Sequence, residues 1–170
     1  MNQTSTWTAT LQSNLQDGFK KGQRFEQFII KLFNDHFFHL KKWRASENFI
    51  GSSLPIDHWY PDLEMELVFT REKKYRFAVE CKWRKEFRDG KIDWASNDQI
   101  CTYRKFQDQV RIPVFVAIGI GGEPDSPEKL FLTPLNSIHM YNGLYESNLI
   151  PFNRKPTRKF YYDASQLKLF

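Results

Sequence analysis

Three charged residues, Asp62, Glu80 and Lys82, have side chains and a spacing that could hold a metal ion and activate a water molecule. Glu80 and Lys82 are two residues apart in the stretch AVECKW (78–83), whose other residues are typical of a buried strand. Alternate residues of a strand point to the same side of the sheet, so these two side chains share a face. Asp62 begins a second alternating segment, 62–69, in which the odd positions are apolar. If the two segments pair as a β-hairpin with an even register, all three charged side chains lie together, and we expect Asp62 opposite Lys82.

Two carboxylates in this arrangement favour a bound cation. Held about 4 Å apart, they repel each other by a few kcal/mol at a surface-like effective dielectric, and a lysine or a divalent cation reverses that repulsion. Oxygen ligands without a cluster of thiolates or imidazoles suit Mg²⁺ or Mn²⁺, which keep several waters and accept phosphate oxygens. Such an ion would polarise a phosphoryl group, while Lys82 would orient the water or stabilise developing negative charge. The pattern therefore favours phosphodiester hydrolysis.

An amphipathic helix is predicted ahead of these strands, at 19–40, with Asp17 as its N-cap and 1–16 as a loose lead-in. Glu26 precedes the apolar positions 29, 30 and 33 by three, four and seven residues, so it projects from or beside the face that packs on the core. An acid in that position needs a partner. A short strand is expected at 41–45 and a loop at 51–55, followed by His58, a further candidate to approach a substrate.

The remaining segments predict one sheet with helices around it. The hairpin strands 62–69 and 75–84 are followed by a helix at 99–110, which the Ile112-Pro113 step ends. The continuous apolar run 114–120 is typical of a strand covered on both faces, and 130–132 predicts another strand. A chain of 170 residues with 41% hydrophobic residues fits one domain, 1–170, with a core at about 17–135 and a C-terminal extension at 136–170, where periodicity weakens.

Four short motifs resemble those of the PD-(D/E)xK nucleases, also called restriction-endonuclease-like. Pro61-Asp62 is followed, after seventeen residues, by Glu80-Cys81-Lys82. The stretch 22–26 resembles the GxxxE element of the family's first helix, and 99–103 resembles the QxxxY element of its RecB-like members. The motifs occur in the family's order, and the strand at 114–120 would extend the match. The resemblance implies an α/β fold with an αβββαβ core, in which a mixed central sheet is flanked by helices.

The resemblance also implies a set of metal ligands. Asp62 and Glu80 would bind Mg²⁺ or Mn²⁺, with the backbone carbonyl of Cys81 as a further ligand and no part for the Cys81 thiol. Glu26 would be an assisting ligand, directly or through a water molecule, which would explain an acid on the apolar side of a helix.

The other implied roles concern the substrate. Lys82 would be the catalytic lysine, and Gln99 and Tyr103, one helical turn apart, would support Lys82 or the substrate phosphate. The implied substrate is DNA, so the leading interpretation is a Mg²⁺- or Mn²⁺-dependent deoxyribonuclease. Family members of this size suggest a homodimer or a larger DNA-processing complex as the working assembly.

Charge is consistent with a nucleic-acid partner. The net charge is +5, and the segment 71–91 carries nine lysines and arginines against four acids. A second basic stretch, 154–159, precedes the aromatic residues 160–162. Both could contact phosphates, and the aromatic side chains could stack on bases, although a solvated turn and a soluble tail explain each stretch equally well.

The sequence favours a cytoplasmic location without a membrane partner. Cys81 and Cys101 lack a CxxC spacing, which suggests a reducing compartment. The first sixteen residues are polar, and no stretch approaches the roughly 18 apolar residues that span a bilayer.

Several alternatives remain open at this stage. An ExK sequence in a strand is often only an exposed ion pair, so a non-catalytic nucleic-acid-binding module that retains the nuclease fold is the alternative function, and a structural or protein-interaction domain is a third. Glu64 and Glu66 share the parity of Asp62 and could replace it as ligands or pair with Arg76. His36 and His39 have an HxxH spacing, for which a solvated helix end is the simpler interpretation.

Overall fold

The computed structural model describes residues 3–44 and 60–170. The first range holds helix α1 (Gln3–Leu32) and strand β1 (Phe38–Trp43). The second range begins with β2 (Leu63–Val68), β3 (Lys74–Arg84), β4 (Lys91–Asp93), α2 (Asn97–Val110), β5 (Val114–Ile120) and β6 (Lys129–Pro134). It ends with short elements: α3 (Leu135–Ile138), β7 (Gly143–Tyr145), α4 (Glu146–Leu149), a 3-10 helix (Ile150–Phe152), β8 (Asn153–Arg154), β9 (Tyr162–Asp163) and β10 (Lys168–Leu169). The predicted loop at 51–55 and His58 lie outside the described residues.

Within the described residues, six strands form a mixed sheet in the order β1, β2, β3, β5, β6, β8. Strands β3 and β5 are parallel and are connected through α2, whereas the other neighbouring pairs are antiparallel. The short strands β4 and β7 pair with each other, as do β9 and β10. This architecture confirms the predicted α/β class with a mixed central sheet.

Each face of the sheet has its own hydrophobic core. On one face, α1 packs through Phe25, Ile29 and Leu32, together with Phe33 just after the helix, on the odd-numbered residues of β2 and β3. On the other face, α2 packs through Ile100, Tyr103 and Phe106 on Ala78, Val116 and Ile118. The two helices therefore sandwich the sheet, as the alternating pattern of the hairpin predicts.

Helix α1 begins and ends earlier than the sequence predicts. Asp17 is not an N-cap but lies within the helix, where it forms an ion pair with Lys21 at 2.6 Å. The helix ends at Leu32, and the backbone N–H groups of Phe37 and Phe38 donate to the carbonyl of Asn34 in the turn that follows. The predicted helix end at 40 is wrong because the apolar residues in the turn and in the first half of β1 happen to continue the helical spacing.

The hairpin has the predicted parity but a different register. Leu63 pairs with Val79, so the position of Asp62 is level with Glu80 rather than with Lys82. The alternation of apolar and polar residues determines which side chains share a face. A shift of the pairing by two residues keeps the same side chains on that face, so the alternation does not determine the register.

The segment after residue 136 contributes to the same fold. Strand β8 pairs with β6 at the edge of the sheet, and Phe160, Tyr162 and Leu169 are buried in the core beneath α1. Within the described ranges, no helix is both long enough and apolar enough to cross a bilayer. Cys81 and Cys101 are free thiols.

Candidate active site

The carboxyl-terminal half of β3 and the residue before β2 bring the predicted charged side chains together. The Tyr103 hydroxyl donates to Oε1 of Glu80 at 2.6 Å, and Lys82 Nζ lies 2.5 Å from the same oxygen. Oδ2 of Asp62 accepts a hydrogen bond from the backbone N–H of Cys81 at 2.7 Å. In this cluster, Glu80, Lys82 and Tyr103 are in direct contact, and Asp62 interacts with Glu80 and Lys82 through its charge. The parity of the hairpin predicts that the three charged side chains share a face.

Glu26 reaches this cluster from α1. Its side chain is 4% exposed, and Oε2 accepts a hydrogen bond from the indole N–H of Trp43 at 2.6 Å. Trp43 is the last residue of β1, so the edge strand supplies the partner that an acid on this helix face requires.

The electrostatics of the cluster reflect three acids that share a poorly solvated region. Burial, followed by the charges of Glu80 and Glu26, raises the pKa of Asp62 well above its ordinary range. Burial also raises the pKa of Glu26, in spite of the hydrogen bond from the Trp43 indole. A cation bound among these groups would relieve the repulsion between them.

The basic and hydroxyl groups respond to the same acids. Burial alone would lower the pKa of Lys82, but the charges of Glu80 and Asp62 outweigh it and raise that pKa above the ordinary lysine value. Burial and the neighbouring Glu80 raise the pKa of Tyr103, so its hydroxyl stays protonated and acts as a donor. Burial likewise raises the pKa of Cys81, which keeps the thiol neutral.

The donor set fits a hard divalent cation. Oε2 of Glu80 is buried and has no hydrogen-bond partner among the described residues. Buried carboxylate oxygens are normally satisfied, so this free oxygen, which lies in the field of Asp62 and Glu26, is a candidate ligand for a hard cation. In the described part of the chain, no three His, Cys, Asp or Glu side chains already converge closely enough to hold a metal ion. Lys82 instead provides the positive charge at Glu80.

Gln99 has a local partner on its own helix. Its side-chain oxygen accepts a hydrogen bond from the backbone N–H of Ser96 at 3.1 Å, while the Ser96 hydroxyl accepts from the Gln99 backbone at 3.2 Å. These two bonds form a capping box at the start of α2. Gln99 therefore fixes the beginning of the helix that carries Tyr103, and its predicted contact with Lys82 or a phosphate stays a prediction.

Three residues of this region escape sequence reasoning. Trp43 holds Glu26, and Arg44 donates to the carbonyl of Pro61, next to Asp62. Arg84 shares the face of Glu80 and Lys82, and its guanidinium donates to the carbonyls at 93 and 94 just before α2. Parity alone could have identified Arg84, whereas no periodic signal connects Trp43 or Arg44 to acids that lie 17 or more residues away in sequence.

The alternative ligands have other partners. Glu64 pairs with Arg44 and, at 2.8 Å, with Arg76. Glu66 lies 4.0 Å from Lys41, so the predicted pairing with Arg76 holds for Glu64 rather than for Glu66. The two histidines of the HxxH spacing are exposed, in the turn after α1 and on β1.

The basic segment 71–91 divides into two regions. Its first part forms the turn between β2 and β3, and the eight residues from Lys74 to Lys82 place that turn about 26 Å from Lys82 at the usual rise of a strand. Its second part lines a groove of about 450 Å³ that includes Arg84, Lys85, Arg88 and Lys91, together with acidic side chains. Only this second part adjoins the acidic cluster.

The aromatic residues of the tail have different environments. Phe160 and Tyr162 are each 4% exposed and belong to the core, so the hypothesis that they stack on bases is wrong for both. Tyr161, which lies between them in the sequence, is 66% exposed and remains available for such a contact.

Comparison with solved structures finds a similar fold in Hjc, a Holliday junction resolvase from the archaeal hyperthermophile Archaeoglobus fulgidus. The two chains are 18% identical at a TM-score of 0.52, and the match covers 79% of this chain and 95% of that chain. No protein-family model and no curated protein sequence matches this chain. The structural similarity shows that the fold is restriction-endonuclease-like, which confirms the fold implied by the sequence motifs.

Proposed function

We propose that this restriction-endonuclease-like protein is a metal-dependent nuclease that hydrolyses phosphodiester bonds in DNA. The observation that carries the proposal is the cluster of Asp62, Glu80 and Lys82 beside Glu26, with one buried oxygen of Glu80 unpaired. Buried acids that lie close together repel one another, and this repulsion destabilises the folded state unless a cation compensates for it. The cluster therefore favours a functional role over a structural one.

Each side chain has a role that follows from its position. Asp62, Glu80 and the Cys81 carbonyl would hold Mg²⁺ or Mn²⁺, with Glu26 assisting directly or through water. When bound, such an ion polarises the phosphate and lowers the pKa of a coordinated water. Lys82, half-buried and positively charged, orients the attacking water or stabilises the charge that develops on the phosphate.

The residues of α2 support this arrangement. The Tyr103 hydroxyl fixes Glu80, and it lies 3.4 Å from Lys82 Nζ, so it restrains both ends of the ExK pair. The side-chain oxygen of Gln99 accepts a hydrogen bond in the capping box, so Gln99 is proposed to contact the phosphate through its side-chain amide nitrogen, or Lys82 through the remaining lone pair of that oxygen. The result is a site preorganised by buried hydrogen bonds, which is the condition for efficient electrostatic catalysis.

The substrate is proposed to be DNA because of the groove beside Arg84. Three basic side chains of the groove, Lys85, Arg88 and Lys91, could contact phosphates. The guanidinium of Arg84 is instead used by the carbonyls at 93 and 94. The fold neighbour is a Holliday junction resolvase, so branched DNA belongs among the substrates to be tested, together with duplex and single-stranded DNA. A homodimer or a larger DNA-processing complex, and a cytoplasmic location, are proposed with this function.

A second candidate function is a non-catalytic DNA-binding module on the same fold. It is favoured by one observation: Lys82 already neutralises Glu80, and the described acids do not converge as a preformed metal site. Such a module would bind DNA in a salt-sensitive manner that is indifferent to Mg²⁺.

Cleavage assays separate the two functions. The parent is incubated with branched, duplex and single-stranded DNA in Mg²⁺, in Mn²⁺ and in excess chelator, beside the variants Asp62→Asn and Lys82→Met. Glu66→Gln is the matched control, because it changes a carboxylate on β2, the strand that follows Asp62, outside the cluster. We expect cleavage by the parent and the control, lost on chelation and in both site variants. Metal-independent binding without cleavage of any substrate would favour the binding module instead.

A further inference from the structure

Arg44, the residue that follows β1, contacts the chain on both sides of Asp62. Its Nη1 donates to the carbonyl of Pro61 at 2.6 Å, and its backbone N–H donates to the carbonyl of Asp62 at 2.8 Å. Its Nη2 donates to the carboxylate of Glu64, whose second oxygen accepts from Arg76 at 2.8 Å. One residue of the edge strand therefore spans the segment that presents the proposed metal ligand.

The guanidinium of Arg44 is itself held firmly. The side chains of Arg44 and Glu64 are each 10% exposed, so their ion pair is poorly screened by solvent. The cation also lies over the rings of Tyr60 and Phe106, at 5.5 and 5.6 Å from their centroids. The guanidinium is therefore contacted by Glu64 from the sheet, by Phe106 from α2 and by Tyr60 from the segment before Asp62.

A purely structural ion pair would need only the Glu64 carboxylate. The Arg44 side chain also donates from Nη1 to the carbonyl of Pro61, the residue before the acid. The backbone N–H of residue 44 donates to the carbonyl of Asp62 whatever its side chain, so the bond to Pro61 is the contribution that is specific to arginine. The short side chain of Asp62 has little reach of its own, so its carboxylate follows its backbone. That carboxylate accepts the Cys81 N–H at 2.7 Å, which reports where it lies.

We propose that Arg44 is a positioning residue that holds Asp62 in place for catalysis. The consequence for catalysis rests on the proposed nuclease function, whereas the positioning itself can be measured without metal or DNA. The proposal adds a residue outside the motifs, and it assigns Glu64 the role of orienting Arg44 rather than that of a substitute ligand.

The first test is amide hydrogen exchange, followed by NMR, in the metal-free protein. Arg44→Lys keeps the positive charge beside Glu64 but replaces the planar fork, whose two terminal nitrogens reach Glu64 and the Pro61 carbonyl separately, by a single nitrogen on a flexible stem. We expect the Cys81 amide, whose acceptor is Asp62, to exchange about 10-fold faster or more in this variant. The Ala78 amide, in the same strand as Cys81, is the internal control: it donates to the carbonyl of Pro113, just before β5, and should keep its exchange rate.

Arg76→Ala is the matched control variant. It removes the other guanidinium from the same Glu64 carboxylate, and its side chain is 46% exposed. We expect its Cys81 exchange to stay within about 2-fold of the parent, the scale of a surface ion pair. Equal acceleration in both variants, or none in Arg44→Lys, would overturn the positioning role.

Calorimetric titration with Mn²⁺ provides the second readout. Arg44→Lys should bind at least about 10-fold more weakly than the parent, which corresponds to about 1.4 kcal/mol, and Arg76→Ala should bind as the parent does. If the parent binds no metal, the proposed function fails, but the exchange result still decides whether Arg44 positions Asp62.

Glu64→Gln keeps the proposal testable if Arg44→Lys does not fold. It leaves residues 61 and 62 unchanged and removes the charge that orients the guanidinium, so faster exchange at Cys81 is again expected. A folded Glu64→Gln protein with parental exchange at Cys81 would overturn the proposal.

Discussion

Replacement of Gly119 by alanine tests whether the close approach of α1 to the sheet positions the active site. A Cβ at this position of β5 would lie 2.4 Å from Cε2 and 2.8 Å from Cζ of Phe25, which is fully buried. Carbon atoms in contact normally lie about 3.5–4.0 Å apart, so the ring or the helix must retreat by about 1 Å. Overpacking of this kind reduces the free energy of unfolding by about 1–3 kcal/mol, which urea denaturation measures.

The same displacement should affect catalysis more than stability. Glu26 follows Phe25 in α1, so a retreat of the helix carries the proposed assisting ligand away from Asp62 and Glu80. A misplacement of about 1 Å can reduce the rate of an enzyme about 100-fold. We therefore expect Gly119→Ala to be folded at 25 °C and, if the proposed nuclease function holds, to cleave DNA about 100-fold more slowly than the parent.

Two further variants make the result specific. Gly22→Ala is the control for stability, since a Cβ there would meet only Oε1 of Glu26 at 4.0 Å, and alanine in a helix is up to about 1 kcal/mol more favourable than glycine. Phe25→Leu in the Gly119→Ala background removes the ring atoms that clash, so the two changes should couple by about 1 kcal/mol in a double-mutant cycle. Parental stability of Gly119→Ala, or additive losses in the cycle, would refute the reasoning.

Three other predictions follow from buried groups. Tyr103→Phe removes a hydrogen bond to the buried Glu80 carboxylate and should lower the free energy of unfolding by about 1.5–3 kcal/mol in urea. The raised pKa of Asp62 means that the folded state binds its proton more tightly than the unfolded state, so the parent loses stability as the pH rises above the ordinary aspartate pKa of about 3.9. Without metal, Asp62→Asn should therefore melt at a higher temperature than the parent at pH 7, and calorimetry should show the advantage shrinking towards pH 4. Phe160→Ala should lower the free energy of unfolding by about 3–5 kcal/mol, against about 0.5 kcal/mol or less for the exposed Tyr161→Ala.

The central part of the site could be predicted because it depends on local periodicity. Glu80 and Lys82 share a face in any strand, and Tyr103 lies on the apolar side of a helix that Ser96 and Gln99 cap. The period of two in the hairpin also fixes which face of the sheet holds Asp62. These features need no knowledge of the rest of the chain.

The remaining parts depend on contacts that periodicity does not encode. Trp43 contacts Glu26, and Arg44 contacts Glu64, only because β1 pairs with β2. The sequence between Arg44 and Tyr60 has no pattern that predicts this pairing. The helical spacing of apolar residues continues by coincidence beyond the true end of α1. In the tail, Phe160 and Tyr162 lie beside lysines and arginines, and only packing under α1 decides that they are buried.

The most direct test of the metal site is a calorimetric titration of the metal-free protein with Mn²⁺, performed in parallel on the parent and on Asp62→Ala. The proposed function predicts saturable binding by the parent and none by the variant, because the variant lacks the acid that lies level with Glu80. Absence of binding by the folded parent would contradict it, and would leave Glu80 and Lys82 as a buried ion pair on a nuclease fold.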